Sequence, residues 1–359
     1  MTAPRRILLI ATRRIGDVLL ATPLIRSLRR AWPDARLDVL VFDGTQGILA
    51  NNPDIDRIIT VPERPRQGKH LSLLAKLWRR YDLALSALPG DRPTLYAWLA
   101  GKRRVGLLVP AANQAWKRRL LDAWTPFDND TTHTVRMYLA LADLLGIERH
   151  NEVVLAWSAA QADRVAMLLR SVGPYAVLHV YPKFAYKTWH RSGWAELARW
   201  LENRGTRTVL TGSSAPDELA YVADLLPDLP AGTINLAGRL DFGEVACLLA
   251  GARIYVGPDT AVTHIAAAAG VPTVALFGPS NPVKWGPWPQ GFAGSGNPYS
   301  LKGTQRAGNV VLMQGEGECV PCFQEGCHRH VNSLSDCLQQ LSPDRVIAAA
   351  HELLEEKQP

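Results

Sequence analysis

The 359-residue chain has no apolar run of the roughly eighteen residues that a membrane-crossing helix needs, so no transmembrane span is expected. No export leader is expected either: Met1–Arg6 is basic, but Ile7–Ala11 is too short for a signal core, and Arg13-Arg14 follow at once. A cytoplasmic protein is expected. Cysteine is scarce: four of the five fall between residues 319 and 337, and Cys247 stands alone on an apolar helix, where it reads as core. No disulfide framework can hold the bulk of such a chain. The first strand–helix turn lacks Gly-x-Gly-x-x-Gly, and no Walker A run is present. Both absences argue against nicotinamide-dinucleotide enzymes and P-loop NTPases. Low-complexity tracts and short repeats are lacking as well.

What is present is an ordered globular composition, 47% apolar and 20% charged, in a chain long enough for two domains. The net charge of +7 is uneven. Residues 1–150 carry 24 Lys+Arg against 14 Asp+Glu, a balance of +10; the remainder carries 16 against 19, a balance of −3. Arg13-Arg14, Arg29-Arg30, Arg79-Arg80, Lys102-Arg103-Arg104 and Lys117-Arg118-Arg119 each read as a solvated face. Their sum predicts a polyanionic partner for the first half: an anionic membrane face, a phosphorylated glycolipid or nucleic acid. The scattered aromatics form no stacking platform, so nucleic acid is set aside.

Strand and helix patterns alternate from the start. Arg6–Thr12 reads as a strand, Arg13–Gly16 as a tight loop, and Asp17–Trp32 as a helix kinked at Pro23. Strands at Leu37–Phe42, Ile58–Val61 and Leu83–Leu88 follow. The pattern restarts after residue 155, with helices at Ala160–Ser171 and Trp194–Asn203 and strands at Tyr175–Tyr181, Arg207–Thr211, Ile234–Leu236, Ile254–Val256 and Thr273–Phe277. Such alternation predicts parallel, doubly wound sheets, hence two Rossmann-like α/β domains facing a cleft. Expected bounds are 1–155, 156–340 with a Cys-rich segment at 319–337, and a closing helix in 341–359. Residues 279–318, dense in Gly, Pro and Asn, read as an irregular surface excursion.

The most informative stretch is Gly257-Pro258-Asp259-Thr260-Ala261-Val262-Thr263-His264. It lies where a buried strand turns into an alanine-rich helix. Free N–H groups at such a terminus, with the helix dipole behind them, hold an anion, and a carboxylate beside them can orient a hydroxyl-rich ligand. Phosphate plus hydroxyls suggests a nucleotide-sugar. Lys183 and Lys187 follow another strand of the same half and can neutralise a diphosphate leaving group. Thr211-Gly212-Ser213 follows a third strand and suits a phosphate or ribose contact. In the first half, Arg13, Arg14 and Gly16 flank Asp17 after the first strand. Asp17 can be a helix cap or a general base. Cys319, Cys322, Cys327 and Cys337, with His328 and His330 between them, can wrap one zinc or iron ion, pair as disulfides, or stay reduced.

These motifs together resemble the ADP-heptose:lipopolysaccharide heptosyltransferases, glycosyltransferase family 9. The carriers are Ile7-Leu8-Leu9-Ile10 with Gly16-Asp17-Val18-Leu19, Lys187-x-Trp189, and Asp259-Thr260-Ala261-Val262-Thr263-His264 with Phe277-Gly278-Pro279-Ser280. The resemblance implies a GT-B fold with the donor on the second half and the acceptor on the first. It implies Asp17 as general base, Lys187 on the diphosphate, Asp259 on the heptose hydroxyls, the Thr260–Thr263 amides on the pyrophosphate, and Leu240 at the adenine. The chain departs from the family in having Ala261 where glycine is usual, and Tyr181-Pro182 where hydroxyl residues are usual. Segment 284–337 is expected to lie outside the well-known lipopolysaccharide enzymes of the family, and its cysteines are similar to those of protein heptosyltransferases with a cysteine-bound iron.

The expectation is therefore an inverting glycosyltransferase. ADP-heptose is the expected donor, and an anionic glycolipid or glycan, such as a lipopolysaccharide core, the acceptor. Peripheral contact with the inner face of the bacterial inner membrane goes with that acceptor. A catalytic metal held by an Asp-x-Asp pair is set aside, so chemistry without an obligatory cofactor is expected. The alternatives are a GT-B transferase using another nucleotide-sugar or a protein acceptor, and a non-catalytic GT-B scaffold.

Overall fold

The computed structural model describes residues 3–64, 73–111 and 114–356, which fall into two compact units, 1–156 and 157–359. In the first unit the strands are β1 (Arg6–Ile10), β2 (Arg36–Phe42), β3 (Arg57–Val61), β4 (Tyr81–Ser86), β5 (Gly101–Leu108) and β6 (Ala123–Pro126). They form one sheet in the order β3-β2-β1-β4-β5-β6, with every neighbour parallel. Ile7–Ile10 is fully buried, as a central parallel strand covered on both faces must be. The order reverses direction at β1, so the loop after β1 opens at the topological switch point, where such sheets take their ligands.

The second unit holds β7 (Tyr175–His179), β8 (Arg207–Thr211), β9 (Ile234–Asn235), β10 (Ile254–Pro258), β11 (Thr273–Phe277), β12 (Gln305–Ala307) and β13 (Val310–Gln314). The order is β12-β13-β11-β10-β7-β8-β9, parallel except for the antiparallel edge pair β12–β13. Both units are Rossmann-like α/β sheets, the class of the GT-B fold.

The helix expected over Asp17–Trp32 is divided into Ile15–Leu20 and Thr22–Ala31, with the break just before Pro23, whose ring cannot continue the hydrogen-bond ladder. Segment 279–318 corrects the sequence expectation. It carries a short helix, Pro282–Trp285, and the pair β12–β13, and β13 is buried along its whole length beside β11. Val310-Val311-Leu312-Met313 is an apolar run that a parallel sheet covers on both faces; the Gly- and Pro-rich turns around it hid the signal. The closing helix, Pro343–Glu355, buries Val346, Ala350 and Leu353 in the second unit's core. Cys247 is half-buried on Phe242–Ala250, where burial pushes its thiol up.

Candidate active site

The turn after β10 is built as its sequence suggests. Thr260 is the N-cap of the helix Ala261–Ala269, in extended conformation, and its side chain makes no capping bond. The first-turn amides thus have no side-chain cap, while the dipole of the helix lies behind them. Thr260, Ala261 and Val262 are half-buried at the surface of this turn. Thr263 and His264 are buried behind it. The Thr263 hydroxyl donates to the Pro258 carbonyl and lies 2.8 Å from the Tyr255 hydroxyl, so it ties the turn together from within. Gly257 is required here, because a Cβ on it would stand 2.1 Å from the Tyr255 oxygen.

Lys187, in the loop after β7, reaches this turn. Its Nζ lies 2.5 Å from Asp259 Oδ2 and 3.3 Å from the Asp259 carbonyl. Burial alone would raise the Asp259 carboxyl, but the Lys187 ammonium beside it, helped by His264 and the Ser280 hydroxyl, holds it below its ordinary value. His264 moves the other way. Burial pushes the imidazole down to about 4, so at neutral pH the ring carries no charge. A carboxylate next to an anion-binding helix end would repel phosphate. The Lys187 ammonium cancels that repulsion and leaves the turn attractive to a diphosphate. Sequence reasoning missed Ser280 as a site residue, although it closes the Phe277–Ser280 motif.

The loop after β8 corrects an expectation. Thr211 is buried, with its Oγ1 3.2 Å from His179 Nδ1, and the Ser213 hydroxyl donates to Glu218. The Thr211 hydroxyl is thus turned into a buried His179–Glu218 layer, whereas Ser213 is exposed beside Gly212 and also accepts from the Ala215 N–H at 3.2 Å. A Cβ on Gly212 would meet Glu218 Oε1 at 2.9 Å. Burial lowers the His179 imidazole against the pull of Glu218. Lys183 is exposed, its ammonium 6.0 Å from the Phe184 ring centroid. Leu240 is half-buried just before Asp241, the N-cap of Phe242–Ala250.

In the first unit, Asp17 is not a helix cap. Arg14 holds that position without a side-chain bond, and Asp17 lies inside the first turn of Ile15–Leu20. Its carboxylate is almost buried, 3.5 Å from the Arg13 guanidinium. It also lies close enough to Tyr138 that, after burial, its charge is the next cause pushing that phenol up. Gly16 is helical and absorbs no tight turn, because the helix begins two residues earlier than the sequence implied. Arg13 and Arg14 are exposed.

The four clustered cysteines are all reduced: Cys319 and Cys327 are exposed, Cys322 half-buried and Cys337 buried. The Cys337 thiol is pushed up to about 12 by burial and by Cys322, Cys327 and Cys319 nearby. The Asp336 N–H donates to Cys327 Sγ at 3.3 Å. His328 and His330 are exposed, with ring centroids 6.4 Å apart. Among the described residues, no three His, Cys, Asp or Glu side chains stand close enough to hold a metal ion.

The chain contains Asp-x-Asp pairs at 54/56 and 128/130. Asp54 pairs with Arg26, and Asp56 with Arg29. Asp128 accepts from the Asp130 N–H at 2.8 Å and from the Thr131 N–H at 3.0 Å, which folds its own loop.

Two doubly wound sheets, with a diphosphate-ready helix end in the second and a shielded carboxylate after the first strand, define a nucleotide-sugar enzyme. Residues 77–312 match the model of glycosyltransferase family 9 (heptosyltransferase), and the chain belongs to that family. It is a glycosyltransferase. It is similar to lipopolysaccharide heptosyltransferase 1 of Pseudomonas aeruginosa, at 29% identity over 97% of this chain and 98% of that one. It is also similar to lipopolysaccharide heptosyltransferase 3 of Escherichia coli, at 27% identity over 76% of this chain and 83% of that one. The solved structure of the E. coli ADP-heptose lipopolysaccharide heptosyltransferase II shares the fold, with a TM-score of 0.75, 22% identity, and coverage of 99% of this chain and 100% of that one.

Proposed function

We propose that this protein transfers heptose from ADP-heptose to the core of a lipopolysaccharide, with inversion at the anomeric carbon. The observation that carries the reading is the Lys187–Asp259 pair set against the side-chain-uncapped end of Ala261–Ala269. The relatives' names supply the donor and acceptor classes. Asp17 accepts the proton of the attacking acceptor hydroxyl. The new C–O bond forms at the anomeric carbon as the bond to the diphosphate breaks. Lys187 and the Thr260–Thr263 amides stabilise the departing ADP, with Lys183 beside them. Asp259 orients sugar hydroxyls, and Leu240 lies against the base. Arg13 and Arg14 hold acceptor phosphates. In this reading the protein works at the cytoplasmic face of the inner membrane that carries the acceptor, and needs no metal for the chemistry.

The test is incubation with ADP-heptose and heptose-deficient lipopolysaccharide, read by mass spectrometry of the acceptor. A gain of one heptose is expected. Transfer only from another nucleotide-sugar, or only to a protein, overturns the reading.

The cysteine segment is the second part of the proposal. Four reduced thiols within nineteen residues have the donor chemistry of a structural zinc or iron site, and the N–H bond to Cys327 Sγ suits a thiolate. Their present spacing is too open for coordination, so binding requires the segment to close. Elemental analysis of the purified protein should find one equivalent of metal that Cys322→Ser removes. A metal content unchanged in that variant rejects the site.

A further inference from the structure

The helix Asp91–Ala100 sends Tyr96, Ala97 and Ala100 into the first unit's core. Leu95 and Trp98, one turn apart, face outward at 44% and 40% exposure. Trp78, 56% exposed, meets Trp98 edge-on with ring centroids 6.3 Å apart. The Arg79 N–H donates to the Leu99 carbonyl at 2.9 Å, fixing this turn to the helix end. Arg79 itself holds φ at 44°, a left-handed conformation that a non-glycine residue adopts only when its surroundings impose it. A largely apolar hollow of about 250 Å³ opens between Leu74, Leu95, Trp98 and Leu99, with Arg92 and Tyr96 on its wall.

The border of this patch is cationic. Lys76, Arg79 and Arg80 are exposed, and none forms an ion pair among the described residues. Asp91, the helix's own acid, is already held by Lys117 at 2.6 Å. Two indoles and a leucine held outward, ringed by cations that pair with no carboxylate among the described residues, are a costly surface to leave in water. Indoles favour the boundary between headgroups and acyl chains, and lysine and arginine favour an anionic leaflet. A two-fold pairing of this face with its copy would set cation against cation.

We propose that this face docks on an anionic phospholipid membrane. Trp78, Trp98 and Leu95 enter the headgroup boundary, the hollow takes acyl methylenes, and Lys76, Arg79 and Arg80 lie against lipid phosphates. The inference extends the reading of a membrane-held acceptor, but its test needs neither donor nor acceptor.

The full chain is sedimented with vesicles of phosphatidylcholine alone and with vesicles containing phosphatidylglycerol. Binding to the anionic vesicles, weakened by salt, is expected. Trp78→Ser with Trp98→Ser should lower that binding about tenfold, and Lys76→Glu with Arg80→Glu should abolish the preference for phosphatidylglycerol. Circular dichroism reports whether each variant folds, and the charge-reversed pair serves if the indole pair does not. The proposal is overturned by a wild-type chain that ignores anionic vesicles, or by folded variants that sediment as it does. It is also overturned if the indole variant loses only self-association in sedimentation velocity, which would make the face a protein interface. Absence of sugar transfer alongside intact vesicle binding would reject the catalytic reading and leave this one standing.

Discussion

Lys187 and Asp259, 72 residues apart in the chain, meet at 2.5 Å beside the N-terminus of Ala261–Ala269. Neither local segment encodes the meeting. It follows from β7 and β10 lying side by side, so that the loops leaving their carboxyl ends emerge together. The pair explains how a buried carboxylate is tolerated next to an anion site, and it links stability to catalysis.

Removing the ammonium should therefore do two things. Lys187→Ala leaves Asp259 buried without its partner, and the partial exposure of Lys187 moderates the cost to about 2 kcal/mol. The same change should lower kcat by roughly a hundredfold or more, through loss of diphosphate stabilisation. Adding Asp259→Asn should recover much of the stability and none of the turnover. Urea unfolding and steady-state kinetics on both variants check this. Independent, additive effects would break the proposed link.

Asp17 sits inside a helix and caps nothing, so its loss should spare the fold. Asp17→Asn should lower kcat by about 10²–10⁴ while the affinity for ADP, read by calorimetry, stays unchanged. Wild-type turnover in this variant would remove Asp17 from the mechanism.

The buried His264 ring predicts a pH effect. Its folded pKa of about 4 lies below the unfolded value of about 6.5, so the unfolded chain takes up the proton first as pH falls. Its stability contribution is complete above about pH 6.5 and declines towards pH 4, by at most about 3 kcal/mol. His179, lowered in the same direction, adds to the slope. Asp259, whose carboxyl is depressed, loses its contribution only as pH falls below the ordinary carboxylate range, outside this window. His264→Gln should flatten the fall in the urea midpoint between pH 7 and pH 5. An unchanged slope would mean the ring does not titrate as described.

The edge of the second sheet gives a packing test. Leu312→Ala, in fully buried β13, should cost about 2–5 kcal/mol, whereas Leu301→Ala, at a residue 40% exposed, should cost about 1 kcal/mol or less. Equal small losses would place 310–314 outside the core.

Much of this was legible in the residues because its physics is local. β8 and β11 follow from short β-branched and apolar runs bounded by turns, and the anion-ready turn at 257–264 follows from a strand, a cap residue and an alanine helix in immediate succession. β13 was hidden because a strand buried on both faces among glycines and prolines lacks any periodicity of its own. The inward turn of Thr211 was hidden because its partner, His179, comes from another strand.

The amino-acid sequence by itself determined the alternation of strand and helix, the family, the charge imbalance between the halves, and which strand ends carry phosphate-compatible groups. Only the tertiary structure decided that Lys187 neutralises Asp259, that Thr211 turns inward, that Asp17 is no cap, and that Trp78 and Trp98 form one exposed patch. The reason is the range of the forces involved. Helix and strand formation depend on neighbours a few residues away, whereas ion pairs and indole contacts depend on which distant segments the sheet order sets side by side.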